Sequence, residues 1–536
     1  MNSGNRYLYL SPLTKLMQRA LSLFCLLASL SFTTVLNAQT TNPFFRHIPP
    51  DAEQVYHINL AALGSKISWD DISGLIPAPK SASDQEMMKY IKDPSQSGID
   101  FHQGFIVATS HLDKNADSPT VVTILAQLSD SGKLLSLIRS KEKGLHTFKF
   151  PKGSASGKDK MALAWNEKMI VVTIVTTSSK NTQNLKSSTG SPAPYYTLTA
   201  AKKSVAALEG FANSIYTTDP TFINGFSDDA DFHAWSEPGS FLYQLMEMSK
   251  KKNPLAASGM NIPKPKSQLH SLTAFRFDVG KITLHTSTVV PPDSAKIYSI
   301  FNTRPLNTDL ITHLPGKSVL GMFNMHIAPS SLDFLLEHYH TKHMVDSMLA
   351  KTGLTIDDFT KALKGDFLIA GMEPTEKPDT GDVKPSFFFV TTIADMPTFM
   401  KIVGKLGLNK DSSGGLMGKK IGFTLRDNIL VVGPKGKTDA FFSTNNPANL
   451  NLVDDRVRDN AFSFVVDIKA ISGLIAEANH GEPSRKTQQA LHFLSALDRI
   501  TYAAGNYKDG KTEYYFELKM TDSSENSLRS LLKLIH

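Results

Sequence analysis

Two segments of the chain nearly spell a phosphate cradle. Gly153-Ser154-Ala155-Ser156-Gly157-Lys158 and Gly414-Gly415-Leu416-Met417-Gly418-Lys419 both run Gly, three residues, Gly-Lys. A phosphate loop needs four intervening residues, so that its amides wrap the phosphates, and a Ser or Thr after the lysine to hold magnesium. Asp159 and Lys420 stand there instead, and both segments read as hairpin loops. The densest histidine cluster is Glu337-His338-Tyr339-His340-Thr341-Lys342-His343. On one helix Glu337, His340 and His343 would share a face and hold a metal ion. Di-iron chemistry needs a second Glu-x-x-His copy and further carboxylates, which the first half does not offer, so the cluster reads as solvated helix surface. Asp70-Asp71 and Asp357-Asp358 are paired acids of the kind glycoside hydrolysis uses across a cleft. Both pairs stand where helices start, and acids there complement the helix dipole without any catalysis. There is no Gly-x-Ser-x-Gly elbow and no His-Glu-x-x-His motif. Trp69, Trp165, Trp235 and the Tyr195-Tyr196 pair are aromatics that would stack on a sugar or anchor a partner if exposed, and otherwise pack in the core. No catalytic, cofactor-binding or metal-ligating residue is assigned, and no cofactor.

The elements that would position such residues come twice. His47-Ile48-Pro49 opens one pattern and His313-Leu314-Pro315 opens another. Each begins with a strand, at Val55-Tyr56-His57-Ile58-Asn59-Leu60 and at Ser318-Val319-Leu320-Gly321-Met322-Phe323, followed by a helix, around 69–72 and at 330–340. A glycine-led strand follows in both, at 104–108 and 365–370, and then a second at 121–128 and 387–393. Asp130 and Asp395 next start helices whose apolar faces are Leu134, Leu135, Leu137 and Ile138 in one half and Phe399, Met400, Ile402 and Val403 in the other. The hairpin 163–172 aligns without gaps to 423–432, with Asn166-Glu167 and Arg426-Asp427 at the turns. Last hairpins turn at Val279-Gly280-Lys281 and Asp509-Gly510-Lys511, and short helices close the copies at 294–301 and 526–534. Strands arrive in hairpins, not in strand-helix-strand alternation, so a doubly wound nucleotide fold is disfavoured. The halves differ most at the Ser/Thr/Asn-rich stretch 176–196; a second variable insertion spans 373–382.

Composition agrees with packed domains: 41% hydrophobic and 20% charged residues over 536 positions suit about two to four globular domains. Arg6, Lys15 and Arg19, the apolar run at 20–30 and the close at Leu36-Asn37-Ala38-Gln39 have the layout of a secretory signal, with Ala38 before the cut. The run is short for a membrane span. The single cysteine, Cys25, lies inside this leader, so the mature chain would have no disulfide, thiolate zinc site or cysteine nucleophile. Removing the three leader cations lowers the formal charge from +7 to +4. Lys250-Lys251-Lys252, with Lys264 and Lys266, reads as a solvated helix end, and nothing else supports nucleic-acid binding.

The run His47-Ile48-Pro49-Pro50-Asp51-Ala52, the Ser97-Gly98-Ile99-Asp100 step, the Trp165-Asn166-Glu167-Lys168 hairpin and the leader end Ala38-Gln39 together resemble an exported Bacteroidetes-type family classed as a domain of unknown function. The resemblance covers most of the mature chain through loose patterns. It implies an envelope location and no established activity. Many members are lipoproteins, and the missing acceptor cysteine departs from that pattern.

The expected fold is α+β, with two tandem homologous domains at 39–302 and 303–536 after a signal peptide at 1–38. Each is expected to be an antiparallel sheet with helices packed on one side. The expected function is a non-catalytic binding or interaction protein of the cell envelope, in the periplasm, at the outer membrane or secreted. Its partner would be an envelope protein or glycan, with no nucleic acid and no transmembrane segment after leader cleavage. The alternative is an exported hydrolase or carbohydrate-binding protein using carboxylates in an interdomain groove. A third reading, a carrier of lipid or another apolar ligand, requires a continuous apolar cavity within one domain.

Overall fold

The computed structural model describes residues 43–67, 94–112, 118–141, 146–150, 153–158, 160–176, 193–219, 222, 226, 229–236, 270–292, 295–299, 306–316, 318–338, 341–373, 386–405, 421–478 and 485–534. The chain forms two compact units, one of Met1–Ser236, Ala274–Arg276 and Leu531–His536, the other of Glu237–Thr273 and Phe277–Ser530.

In the first unit β1 is Gln54–Ile58, β2 Ile99–His111, β3 Thr120–Leu128, β4 His146–Phe150, β5 Gly153–Lys158, β6 Met161–Trp165, β7 Met169–Thr176 and β8 Phe232–Ser236. Antiparallel pairing orders them β4-β5-β6-β7-β3-β2-β1-β8. Its helices are α1 (Leu60–Lys66), α2 (Ser131–Lys141), α3 (Ala193–Glu209) and α4 (Ile215–Thr218), preceded by a 3-10 turn at Pro43–His47. Strand β9 (His270–Asp278) turns through Gly280 into β10 (Lys281–Val289).

In the second unit β11 is Val319–His326, β12 Leu363–Met372, β13 Ser386–Ile393, β14 Ile421–Arg426, β15 Ile429–Pro434, β16 Phe462–Asp467, β17 Leu497–Lys508 and β18 Lys511–Met520. The order is β14-β15-β13-β12-β11-β16-β17-β18-β10, again antiparallel throughout. The remaining helices are α5 (Ala295–Ser299), α6 (Asp309–Thr312), α7 (Ser331–His338), α8 (Lys342–Ala350), α9 (Ile356–Ala362), α10 (Met396–Lys405), α11 (Ala440–Ser443), α12 (Asp455–Arg458), α13 (Ile468–Ala478), α14 (Arg485–Ser495) and α15 (Ser527–Lys533). The chain is therefore α+β with extensive antiparallel sheet.

Side chains alternate across a strand, which separates the two faces of the second sheet. Phe388, Val390, Leu368, Ala370, Met322, Val431 and Val465 are buried on one face with Leu310, Ile311 and Leu314 around α6, Phe441 of α11 and Val457 of α12. On the opposite face Ile393, Leu363, Leu425 and Leu430 pack with Phe399, Ile402 and Val403 of α10 and Ala362 and Phe359 of α9. Helices thus cover parts of both faces of this sheet, not one side as expected. The reason is local: β13 reads Ser-Phe-Phe-Phe-Val-Thr-Thr-Ile, and a strand with apolar residues at successive positions has two faces to bury.

Other elements differ in ways that have local causes. The first strand ends at Ile58, because the Asn59 side chain accepts from the Ala62 amide at 3.1 Å and starts α1 directly. The helix expected around 69–72 lies outside the described residues. The segment 153–158 is strand β5, not a hairpin loop. Its small residues let α3 lie close, and a Cβ on Gly157 would meet the Thr197 methyl at 2.8 Å. The β14–β15 turn is Asp427-Asn428, with φ of 50° and 60°, one residue later than expected. Two left-handed residues match the twist of the flanking strands, and Asp and Asn tolerate that conformation.

The repeated His-x-Pro openings have one role in both places. The His47 Nδ1 donates to the Ala207 carbonyl near the end of α3 at 2.8 Å. The His313 Nδ1 donates to the Thr444 carbonyl just after α11 at 2.5 Å. A helix C-terminus leaves carbonyls without intrahelical donors, and each imidazole supplies one.

Candidate functional site

The cross-strand register of the second sheet aligns one row of residues on the face opposite Phe388 and Val390. It runs Phe423, Val432, Phe389, Ile369, Phe323, Phe464 over β14, β15, β13, β12, β11 and β16. At about 4.8 Å per strand the row is roughly 24 Å long. One row along, Ile421 and Phe387 lie on the same face, and Gly371 and Gly321 are paired beside Phe387. On the other side follow Leu425, Leu430, Thr391, Phe367, Met325 and Phe462. No residue in these rows carries a charge.

A face of this composition is built to be covered, yet Phe387 is 62% exposed, Ile369 45%, Phe423 43% and Phe464 41%. An antiparallel sheet that meets only water on one side alternates apolar with polar residues. Here the water side is as apolar as the core side. Directly opposed side chains on neighbouring strands touch, so the exposed members belong to one patch and are not scattered surface residues. Contiguous apolar patches of this kind mark interaction surfaces.

The inner faces carry polar residues in matched places. In the first unit His57 of β1 faces His233 of β8, with Nδ1 atoms 3.4 Å apart and rings stacked at 16°. In the second, Asn324 of β11 faces Ser463 of β16, the Asn324 amide donating to the Ser463 hydroxyl at 3.3 Å. Nearby, His326 Nδ1 lies 2.6 Å from Asp366, whose other oxygen accepts from the Thr392 hydroxyl at 2.7 Å. All three are buried. In the first unit buried Asp231 is bonded to Lys66 at 2.6 Å. These groups were missed in the sequence, since the partners of each lie between 26 and 176 positions apart.

The residues singled out in the sequence are dispersed. Asp358 completes a capping box with Thr355 at the start of α9 and bonds Lys401 at 2.7 Å. Those two bonds, the Lys401 one foremost, hold its carboxyl below the ordinary value. Asp395 accepts from the Thr398 amide at 2.9 Å and is likewise lowered by Thr398. Asp130 accepts from the amides of Gly132 and Lys133. These acids are occupied as helix caps. Glu337 and His343 fall on separate helices, α7 and α8, because the chain breaks at Thr341, so the single helical face expected for a metal does not form. Among the described residues no three His, Cys, Asp or Glu side chains converge as metal ligands. Trp235 is buried and donates from Nε1 to Asp219 at 3.0 Å; Trp165 is half-buried on β6. Tyr196 is buried and Tyr195 exposed. Cys25, Trp69, Asp70-Asp71, His340, Lys250-Lys251-Lys252, Lys264, Lys266, the segment 414–420 and the bulk of both variable insertions lie outside the described residues.

Among the described residues no helix is long and apolar enough to cross a membrane. The fold and surface define a protein with extensive antiparallel sheet and a partly uncovered apolar face. The chain belongs to the family described as a domain of unknown function, DUF4836, which matches residues 45–448. No curated protein matches it. Among solved structures, crystal forms IV and III of TP0453 are 11% identical, each over 49% of this chain and over 86% and 87% of that chain, with TM-scores of 0.26.

Proposed function

We propose that this chain is a non-catalytic binding protein of the cell envelope, exported by its leader, whose second unit receives an apolar surface of a protein partner. The observation that supports this most is the charge-free, largely aromatic row of Phe423, Phe389, Ile369, Phe323 and Phe464, whose members Phe423, Ile369 and Phe464 are exposed where a sheet facing water carries polar residues. The uses found for Asp358, Asp395 and Asp130 as helix caps remove three carboxylates from the hydrolase alternative.

The reading includes an internal duplication, with repeat domains at 39–302 and 303–536. It is supported by strand order: β6-β7-β3-β2-β1-β8 and β14-β15-β13-β12-β11-β16 follow one pattern. The equivalent of the aromatic row in the first unit is Leu163, Val172, Ile124, Val107, Tyr56, Ala234.

The test is a pull-down of the mature protein from envelope extract beside a Phe387→Asp/Phe423→Asp variant of unchanged melting temperature. One stoichiometric protein retained by the parent and lost by the variant is the expected result. Equal recovery by both, or no partner together with turnover of a glycan or peptide library, would overturn the proposal.

A further inference from the structure

Strand β14 ends the second sheet and turns into β15 through the two-residue loop Asp427-Asn428. In such a hairpin the residues flanking the loop, Arg426 and Ile429, exchange main-chain hydrogen bonds, and the exchange recurs at every second pair. Thr424 and Gly422 therefore bond inward to Val431 and Gly433. The N–H and C=O groups of Ile421, Phe423 and Leu425 point outward, away from β15. Among the described residues no strand pairs with that side. Edge strands are ordinarily blunted by charge, proline or a bulge. Ile421-Gly422-Phe423-Thr424-Leu425 has no charge and no proline, and its pairing with β15 runs without a register shift. Ile421 is 47% and Phe423 43% exposed.

The strand at the same place in the first unit's order, β6, has the same hairpin geometry and a filled edge. The Asn166 amide donates to the Met169 carbonyl at 3.0 Å, so by the same alternation Met161, Leu163 and Trp165 point outward. They face Lys158, Ser156 and Ser154 of β5 in antiparallel register, and β4 pairs beyond. From this contrast we infer that β14 is an acceptor edge, which takes an extended segment of a protein partner as an added antiparallel strand. The segment carries apolar side chains at alternate positions, beside Ile421 and Phe423. The inference rests on the binding role proposed for the second unit and gives the chemistry of its partner.

Two features fit this occupant. Residues of an added strand that stand opposite Ile421 and Phe423 place their side chains on the same face as these two. They extend the apolar rows by one strand, and no charged residue in those rows has to be stripped of water. The edge is also held from behind. The Thr424 hydroxyl lies 2.8 Å from that of Thr438 and donates to Asp439 at 2.9 Å, and Leu425 packs with α9 and α10. A template already fixed loses little freedom when a segment docks. Main-chain bonds then supply affinity, and the side chains beside Ile421 and Phe423 supply selectivity.

Two isomeric peptides test the edge on the full chain. Both alternate valine with threonine and carry a lysine at each end; one is N-methylated at its valines, the other at its threonines. With the valine side chains over the apolar rows, the valine amides are the ones that face β14, so only valine methylation blocks pairing. With the threonine-methylated peptide at about ten times its Kd, hydrogen exchange of residues 421–426 is expected to slow about tenfold, and that of 161–165 by less than about twofold. The valine-methylated peptide is expected to protect neither segment. Equal protection of 421–426 by both peptides, lost in the Phe387→Asp/Phe423→Asp variant, would overturn the edge and keep the apolar face as a docking surface. Protection by neither peptide would overturn the edge as well, and the pull-down would still decide the fate of the face.

Discussion

The row Leu163, Val172, Ile124, Val107, Tyr56, Ala234 in the first unit and the row Phe423, Val432, Phe389, Ile369, Phe323, Phe464 in the second occupy the same places in the same strand order. In the first, aliphatic residues are half-buried and Tyr56 is the exposed member, its hydroxyl bonded to Gln54. In the second, three of six positions are exposed and all are apolar. At matching places in the strand order, one unit shows a half-buried row and the other an exposed apolar one. The inner faces also differ at the matched places, with His57 and His233 stacked in the first unit and Asn324 bonded to Ser463 in the second.

This contrast breaks first where the two units are built alike. Gly104 and Gly365 begin the regular part of β2 and β12 at φ of 75° and 103°, and a Cβ would lie 2.1 Å from the Ile58 carbonyl oxygen or 2.0 Å from that of Ile327. Gly104→Ala and Gly365→Ala are each expected to cost more than about 2 kcal/mol in denaturant unfolding, through backbone strain and a clash that no rotamer relieves. A mild effect at one and not the other would mean that the two strand entries are not equivalent. On the second sheet, Phe388→Ala on the dry face is expected to cost about 3–5 kcal/mol. Phe387→Ser, one position along on the exposed face, is expected to change stability by less than about 1 kcal/mol. Comparable losses would show that Phe387 is packed and would remove it from the binding surface.

Two smaller effects sharpen the account. Thr355→Ala removes the α9 capping box and is expected to cost about 1 kcal/mol by thermal melting. Burial acts to raise the Glu517 carboxyl, but the bond from Lys281, the Tyr515 hydroxyl and the Arg456 charge outweigh it and leave the group below its ordinary value. A lowered carboxylate stabilises the fold above the unfolded value near 4.3 and loses that contribution as pH falls further. Denaturation midpoints between pH 6 and pH 3 are expected to fall less steeply in Glu517→Gln than in the parent chain.

Much of the fold was legible because it rests on local signals. Alternation marked β1, the Asp509-Gly510 pair marked the β17–β18 turn, and Asp130 and Asp395 marked two helix starts. The apolar face was not legible, because a strand such as Phe387-Phe388-Phe389-Val390 reads as buried on both sides. Only the register shows that Phe387 and Phe389 share a side with Ile369 and Phe423, and that this side stands open. The histidine stack was hidden for the same reason: His57 and His233 are far apart in sequence, and each looked like a solitary polar residue in a strand.

The most direct test of the central claim is binding of 8-anilinonaphthalene-1-sulfonate, a probe of exposed apolar surface, to the folded chain at pH 7.5. The account predicts blue-shifted fluorescence that is lost in an Ile369→Asp/Phe387→Asp/Phe423→Asp variant with a native circular dichroism spectrum, and kept in a Tyr56→Ser variant. Fluorescence that is absent from the parent chain, or undiminished by the three aspartates, would contradict it.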